Sequence, residues 1–252
     1  MSAVRIIPCL DMREGRVVKG VNFVNIRDAG DPAETAAYYE REGASELAFL
    51  DINATYENRG TMADVVRKVV NSISIPLTVG GGIRTIDDMK ALMEAGVSKV
   101  SINSAAVKNP KLISEAAKIF GSSRIIVAID FKKNPEKNTW DLYLDGGRTK
   151  VDLDVVKWAK QACELGAGEI LPTSMDKDGT KDGYDLEITR MIAEAVDAPV
   201  IASGGAGKPE DFKDAVIKGK ASAVLAASLF HFREITIKDL KKYLESNGIE
   251  VV

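Results

Sequence analysis

Along the 252-residue chain, short runs that are apolar on both faces alternate with longer stretches of helical periodicity. The runs start near Arg5 (RIIPCL), Leu47 (LAFLDI), Pro76 (PLTV), Lys99 (KVSI), Ile125 (IIVAI), Glu169 (EILPTS), Pro199 (PVIAS) and Ala223 (AVLAAS). A strand with no polar face lies between two covering layers, as parallel strands do. The intervening stretches carry helix punctuation. Asp31-Pro32 with Glu34 opens one helix, Asn109-Pro110 opens another, and Thr85 with Asp88 forms a capping box. Gly43, Gly96, Gly121, Gly166 and Gly248 stand where helices stop. Alternating β and α segments build a parallel sheet covered on both faces. Eight such units in this length favour an α/β fold closed as a (β/α)8 TIM barrel over an open doubly wound sheet.

The pattern repeats internally. Strand starts are separated by 42, 29 and 23 residues and, after a link of 26, by 44, 30 and 24. Local sequences echo one another across the same division: CLD (9–11) with AID (128–130), TVGGG (78–82) with IASGG (201–205), and SINSAA (101–106) with LAASLF (225–230). The chain therefore reads as one barrel domain, 1–252, built from two half-barrels of about 1–122 and 123–252 related by a half turn.

Composition narrows the chemistry. With 34 Lys+Arg against 37 Asp+Glu, the net charge of -3 offers no broad attraction to nucleic acid or acidic membrane. Cys9 and Cys163 are too few and too isolated for a disulfide framework, and no Cys/His spacing suits zinc; free thiols, no metal, no cofactor and a cytoplasmic location are the expectation. No apolar run approaches the roughly 18 residues of a membrane span. With His231 the only imidazole, proton transfer falls chiefly to carboxylates, and His231 itself reads as a packing residue.

Residues at strand ends face the catalytic mouth of such a barrel. Asp11 and Asp130 stand immediately after the first and fifth runs, opposite each other in an eight-strand ring. Each follows an apolar residue, Leu10 or Ile129, and an apolar edge disfavours ionisation, bringing a carboxyl toward the range useful for acid/base work. Gly80-Gly81-Gly82 and Gly204-Gly205-Ala206-Gly207 follow the third and seventh runs, and each has a small polar turn after the next run, Asn103-Ser104 and Ala227-Ser228. Glycine turns let backbone N–H groups approach an anion, so the repeat supplies two anion cradles. Rossmann and Walker patterns fail, since Thr85 replaces the third glycine of the first and Pro209 follows Gly207-Lys208 in the second. Asp176-Lys177-Asp178-Gly179 is an active-site loop rather than a calcium loop, its glycine coming too early.

After Asp11, about 20 residues containing Gly15, Gly20 and Gly30 read as a lid loop on which Lys19 and Phe23 either fold over an anion or stay solvated. Arg5, Glu46, Lys99 and Glu169 sit at run starts, at the other end of the barrel, where their charges meet either as a plug or as a selective entrance. Pro172, inside the sixth run, lacks a ladder donor and calls for a bulge or irregularity.

These residues closely resemble the cyclase subunit of imidazole glycerol phosphate synthase, of histidine biosynthesis. The likeness runs end to end through RIIPCLD, GRVVKGVNF, RDAGDP, ELAFLDI, TVGGGI, KVSINSAAV, VAID, GAGEI, SMDKDGTKDGYD, PVIASGGAG and LAASLFHF. The first strand and GRVVKGVNF separate it from the sister barrel, the phosphoribosyl-formimino isomerase; a catalytically silent phosphate-binding barrel is the non-enzymatic alternative. The resemblance implies a glutaminase subunit docked at the barrel's N-terminal face, with Arg5, Glu46, Lys99 and Glu169 as an ammonia gate. It implies Asp11 and Asp130 as the acid/base pair, Lys19 as a mobile-loop catalytic lysine, and a substrate phosphate on Gly82, Asn103 and Ser104. A second phosphate falls to Asp178, Gly179, Gly205, Ala227 and Ser228. Asn53, Phe131, Pro172 and Lys150-Val151-Asp152 depart from the family pattern.

Overall fold

A computed structural model describes residues 3–13, 16–21, 24–51 and 63–252. Eight parallel strands close into a barrel: β1 (Arg5–Arg13), β4 (Leu47–Asp51), β5 (Leu77–Gly80), β6 (Lys99–Ile102), β7 (Ile125–Asn134), β10 (Glu169–Ser174), β11 (Ile201–Ser203) and β12 (Ala223–Ala226). Each pairs with the next in that order, and β12 returns to β1 with Arg5 beside Ala223 and Ile7 beside Leu225. This is the TIM barrel expected from the eight apolar runs, and most runs and strands begin within a residue of one another.

Side chains alternate between the two surfaces of each strand. One set, including Ile7, Cys9, Ala48, Ile126, Leu171, Ile201, Ala223 and Leu225, fills the barrel's interior with small and medium apolar groups. The alternate set, including Ile6, Leu10, Phe49, Val79, Val100, Val127 and Ile170, packs outward against the helices. Both sets being apolar is why the strands lack a polar face in sequence.

The helical layer comprises α1 (Pro32–Arg41), α2 (Ala63–Val70), α3 (Ile86–Glu94), α5 (Lys111–Phe120), α6 (Val155–Glu164), α7 (Leu186–Ala195), α8 (Pro209–Ile217) and α10 (Ile237–Ser246). The punctuation works as its chemistry dictates. Asp31 accepts from the N–H groups of Ala33 and Glu34, and the Thr85–Asp88 box closes in both directions. The helix after Asn109-Pro110 opens without a side-chain cap. Two short extra helices, α4 (Ser104–Lys108) and α9 (Ser228–His231), follow β6 and β12, at equivalent places in the two halves.

Two expectations change, and the irregularity expected at Pro172 finds its place. The segment after Asp11 is not a plain loop: β2 (Arg16–Val21) turns back antiparallel on β1, and β3 (Val24–Gly30) pairs with β2. The second half carries a matching ribbon, β8 (Thr139–Leu144) and β9 (Thr149–Asp154), folded antiparallel on β7. These excursions account for the long first interval of each half. Consequently Asp11 and Asp130 lie within β1 and β7, not after them, because both strands continue upward into the ribbons. Pro172 needs no bulge on the β7 side, where β10 keeps continuous register from Glu169 beside Ile126 to Ser174 beside Phe131. The N–H of Ile170 points to the opposite seam, donating to Pro199 O at 3.0 Å, so the nitrogen two residues on faces that seam too. The missing donor falls there, where β10 and β11 share only the Thr173–Ser203 pair and an Ile170–Val200 bridge. No helix among the described residues is long and apolar enough to cross a membrane.

Candidate active site

At the C-terminal ends of the strands the barrel opens into a cavity of about 390 Å³. Asp11 and Asp130 both line it, as inward-facing residues of strands on opposite sides of the ring. One rim carries Gly82, Asn103 and Ser104; the other carries Asp178, Gly179, Gly205, Ala227 and Ser228. Apart from Lys19, whose side chain is outside the described residues, the residues expected from sequence to work at the mouth line one cavity, and the charged ring stands at the opposite end.

The electrostatics centre on Asp130. Loss of hydration and, to a lesser degree, the nearby charge of Asp178 push its carboxyl up to about 7, against a hydrogen bond from Asn103 Nδ2 to Asp130 Oδ2 at 2.9 Å that favours the ionised form. Asn103 therefore spends one N–H of its side-chain amide on the carboxylate and keeps the second for an anion. Asp178 likewise commits its N–H to Ser174 O at 2.9 Å, while its carboxylate acts on Asp130. As a donor to phosphate it is a poor fit; as a neighbour that holds Asp130 near neutrality it is a good one. Across the mouth, the Cys9 thiol donates to Asp11 Oδ1 at 3.4 Å. His231, at the end of α9, shares a 3.2 Å hydrogen bond between its Nδ1 and the buried Tyr39 hydroxyl, joining α9 to α1.

The glycine turns are dictated by backbone crowding. Gly81 has φ +92°, and a Cβ there would collide with Asp51 O; Gly204 has φ +86°, and its Cβ would lie 2.7 Å from Ser174 O. Asp51 and Ser174 end the equivalent strands β4 and β10, so the same close approach occurs twice. Gly205 accepts at its carbonyl from the Gly183 N–H at 2.8 Å, which ties the Asp178 loop to the second rim. At the first rim, Ser104 Oγ accepts from the Asp145 N–H at 2.9 Å.

At the opposite end the four charged residues form a closed ring. Arg5 reaches Glu46 Oε2 at 2.8 Å and Glu169 Oε2 at 2.7 Å; Lys99 reaches the same two carboxylates at 2.9 and 2.7 Å. Glu46 and Glu169 are only 2% and 6% exposed, and Thr78 Oγ1 donates to the remaining Glu46 oxygen at 2.6 Å. Two cations and two anions leave no net charge, the condition for burying them.

Several cavity residues escaped the sequence reading. Asp51 is buried and lines the mouth, with the same apolar-then-Asp signal in LAFLD that singled out Asp11. Ser101, Thr173 and Ser203 follow from period-two counting once the inward face of each strand is known. Arg84 and Lys108 had no local signal. Lys19 lies on β2, but its side chain, with Phe23 and Asn53, is outside the described residues.

A family model described as histidine biosynthesis protein matches residues 5–236. The imidazole glycerol phosphate synthase subunit HisF of Clostridium botulinum (strain Okra / Type B1) is 56% identical over 251 residues, covering 100% of this chain and 99% of that protein.

Proposed function

The chain belongs to the histidine biosynthesis protein family, and from that premise we propose how its barrel carries out the cyclase reaction of imidazole glycerol phosphate synthase. It is an enzyme of the imidazole glycerol phosphate synthase type. Ammonia from a glutaminase subunit docked on the N-terminal face passes the Arg5–Glu46–Lys99–Glu169 ring. It then crosses an interior walled by residues such as Ile7, Ala48 and Leu225. Neutral ammonia crosses such a wall far more readily than ammonium, which would lose its hydration.

At the mouth, phosphoribulosyl-formimino-aminoimidazole carboxamide ribotide is held by its two ends. One phosphate lies against Gly82, Asn103 and Ser104, the other against Gly179, Gly205, Ala227 and Ser228. Glycine at these turns lets main-chain donors come close to oxygen atoms that a side chain would hold off. Asp130, with its carboxyl raised to about 7, populates both protonation states at neutral pH and so gives and takes protons on successive steps. Asp11 takes the complementary role from the facing strand, and Asp178 acts through Asp130. Lys19 completes the site from the ribbon above β1. Together they assist ammonia addition, cleavage and ring closure, yielding imidazole glycerol phosphate and aminoimidazole carboxamide ribotide.

The observation that carries this assignment is a single cavity with both carboxylates between two glycine-turned rims. The test is an assay with ammonium salt and the ribulosyl substrate, run beside the isomerase reaction of the sister barrel. Formation of imidazole glycerol phosphate, lost in Asp130→Asn with ligand binding retained, supports the proposal. Turnover of the isomerase substrate alone, or of neither, overturns it.

A further inference from the structure

The two rims match in backbone but not in charge. Lys108 lies four residues beyond Ser104, and the residue four beyond Ser228 is Phe232. Lys108 lines the mouth cavity, and its Nζ lies 2.9 Å from Asp145 Oδ1. Asp145 belongs to the turn between β8 and β9. There it takes φ +55°, followed by Gly146 at +65° and Gly147 at +81°, and Gly146 also lines the cavity. The turn is fastened to α4 twice, through the Lys108 ion pair and through the Asp145 N–H on Ser104 Oγ.

We propose that Lys108 and the Asp145 turn form a counter-ion clamp at the first rim: Asp145 stores Lys108, and a phosphate dianion arriving beside Gly82 and Ser104 draws the ammonium across. The clamp makes this rim the one that selects for charge, and it rests on the reading of the mouth as a bisphosphate site. The physical basis is a competition. Lys108 is 59% exposed in its ion pair, and pairs of that kind contribute little net stability, so the lysine leaves Asp145 at small cost. A dianion at the rim outbids one carboxylate, whereas a monoanion merely matches it. Asp145 cannot follow the lysine, since its N–H is held by Ser104 and its carbonyl accepts from Arg148 Nη1 at 3.0 Å. Asp145 is thus a positioning residue, and Lys108 the group that meets the ligand.

Inorganic phosphate is a sufficient probe. Backbone amide signals of Gly82 and Ser104 report the first rim, and those of Gly205 and Ser228 the second, in one titration of the full chain. Lys108→Met should weaken phosphate at the first pair of amides by about three- to tenfold and leave the second pair unchanged, with Lys108→Arg restoring most of the loss. Asp145→Asn keeps a residue that tolerates the left-handed turn, and it should tighten the first rim about two- to fivefold by freeing the lysine. Binding at both rims that is indifferent to Lys108, or an Asp145→Asn variant that binds more weakly, overturns the clamp alone. Phosphate at neither rim overturns the bisphosphate reading and the clamp with it.

Discussion

The two ends of the barrel hold acidic side chains in opposite circumstances. At the bottom, Glu46 and Glu169 each meet both Arg5 and Lys99, and Thr78 takes up another Glu46 oxygen. At the mouth, Asp130 faces another acid, Asp178, and the neutral amide of Asn103 supports its charge. Compensated charge fixes a structure, because every partner loses by moving. Poorly compensated charge leaves a proton poised to move, and chemistry follows from that. Sequence position alone assigns neither role, since Glu46, Glu169 and Asp130 all sit on or beside strands and next to apolar residues.

Breaking the bottom ring should have the largest effect. Glu46→Ala leaves Arg5 and Lys99 sharing one carboxylate in a buried setting, and urea unfolding should show a loss of about 3–5 kcal/mol. A loss below about 1 kcal/mol would mean that water already solvates the ring, and the contrast between the ends would collapse.

The mouth should respond with the opposite sign. Because Asp130 is raised from 3.8 to about 7, the native state keeps a proton that the unfolded chain releases between those values. Folding stability therefore declines as pH rises through that window, and the loss is complete above it. Asp130→Asn removes the titration while preserving an acceptor for Asn103. It should be close to neutral in stability at about pH 4 and should stabilise by roughly 2–4 kcal/mol at about pH 8. Equal changes at both pH values would show that folding leaves the Asp130 carboxyl where it stands in the unfolded chain. The same variant should lower ammonium-dependent turnover by about 10²-fold, so that about 2.7 kcal/mol of barrier lowering is exchanged for stability.

The smallest expected effect sharpens the bottom ring. Thr78→Val takes the hydroxyl from Glu46 at nearly constant shape, and should cost about 1.5–2 kcal/mol at every pH above the carboxylate range. Activity with ammonium salt should be unaffected, since the reacting atoms lie at the other end.

Much of the barrel is legible in the chain. Eight two-faced apolar runs, Asp31 and Thr85 at helix starts and Gly43 or Gly166 at helix ends are local signals, and local sterics and hydrogen bonding answer to them directly. The repeat spacing also marks Asp11 and Asp130 as a related pair. The ribbons are less legible. In β2, RVVKGV, the charges of Arg16 and Lys19 and the glycine at position 20 break up the apolar run, and β9, almost wholly exposed, carries as many charged as apolar or hydroxyl positions in TKVDLD. Lys108 and Asp145 come together over a sequence distance of 37 residues, through the packing of a turn on a helix that no local pattern announces.

What the sequence determined by itself is therefore the kind of fold, the inward and outward alternation of its strands and the acidic residues at their upper ends, because propensity, periodicity and backbone sterics act between near neighbours. Only the tertiary structure decided which acid is compensated and which is not. Hydration and Coulomb interaction depend on distances in space, and closing the barrel set those: it brought Arg5 and Lys99 to Glu46, and Asp178 to Asp130.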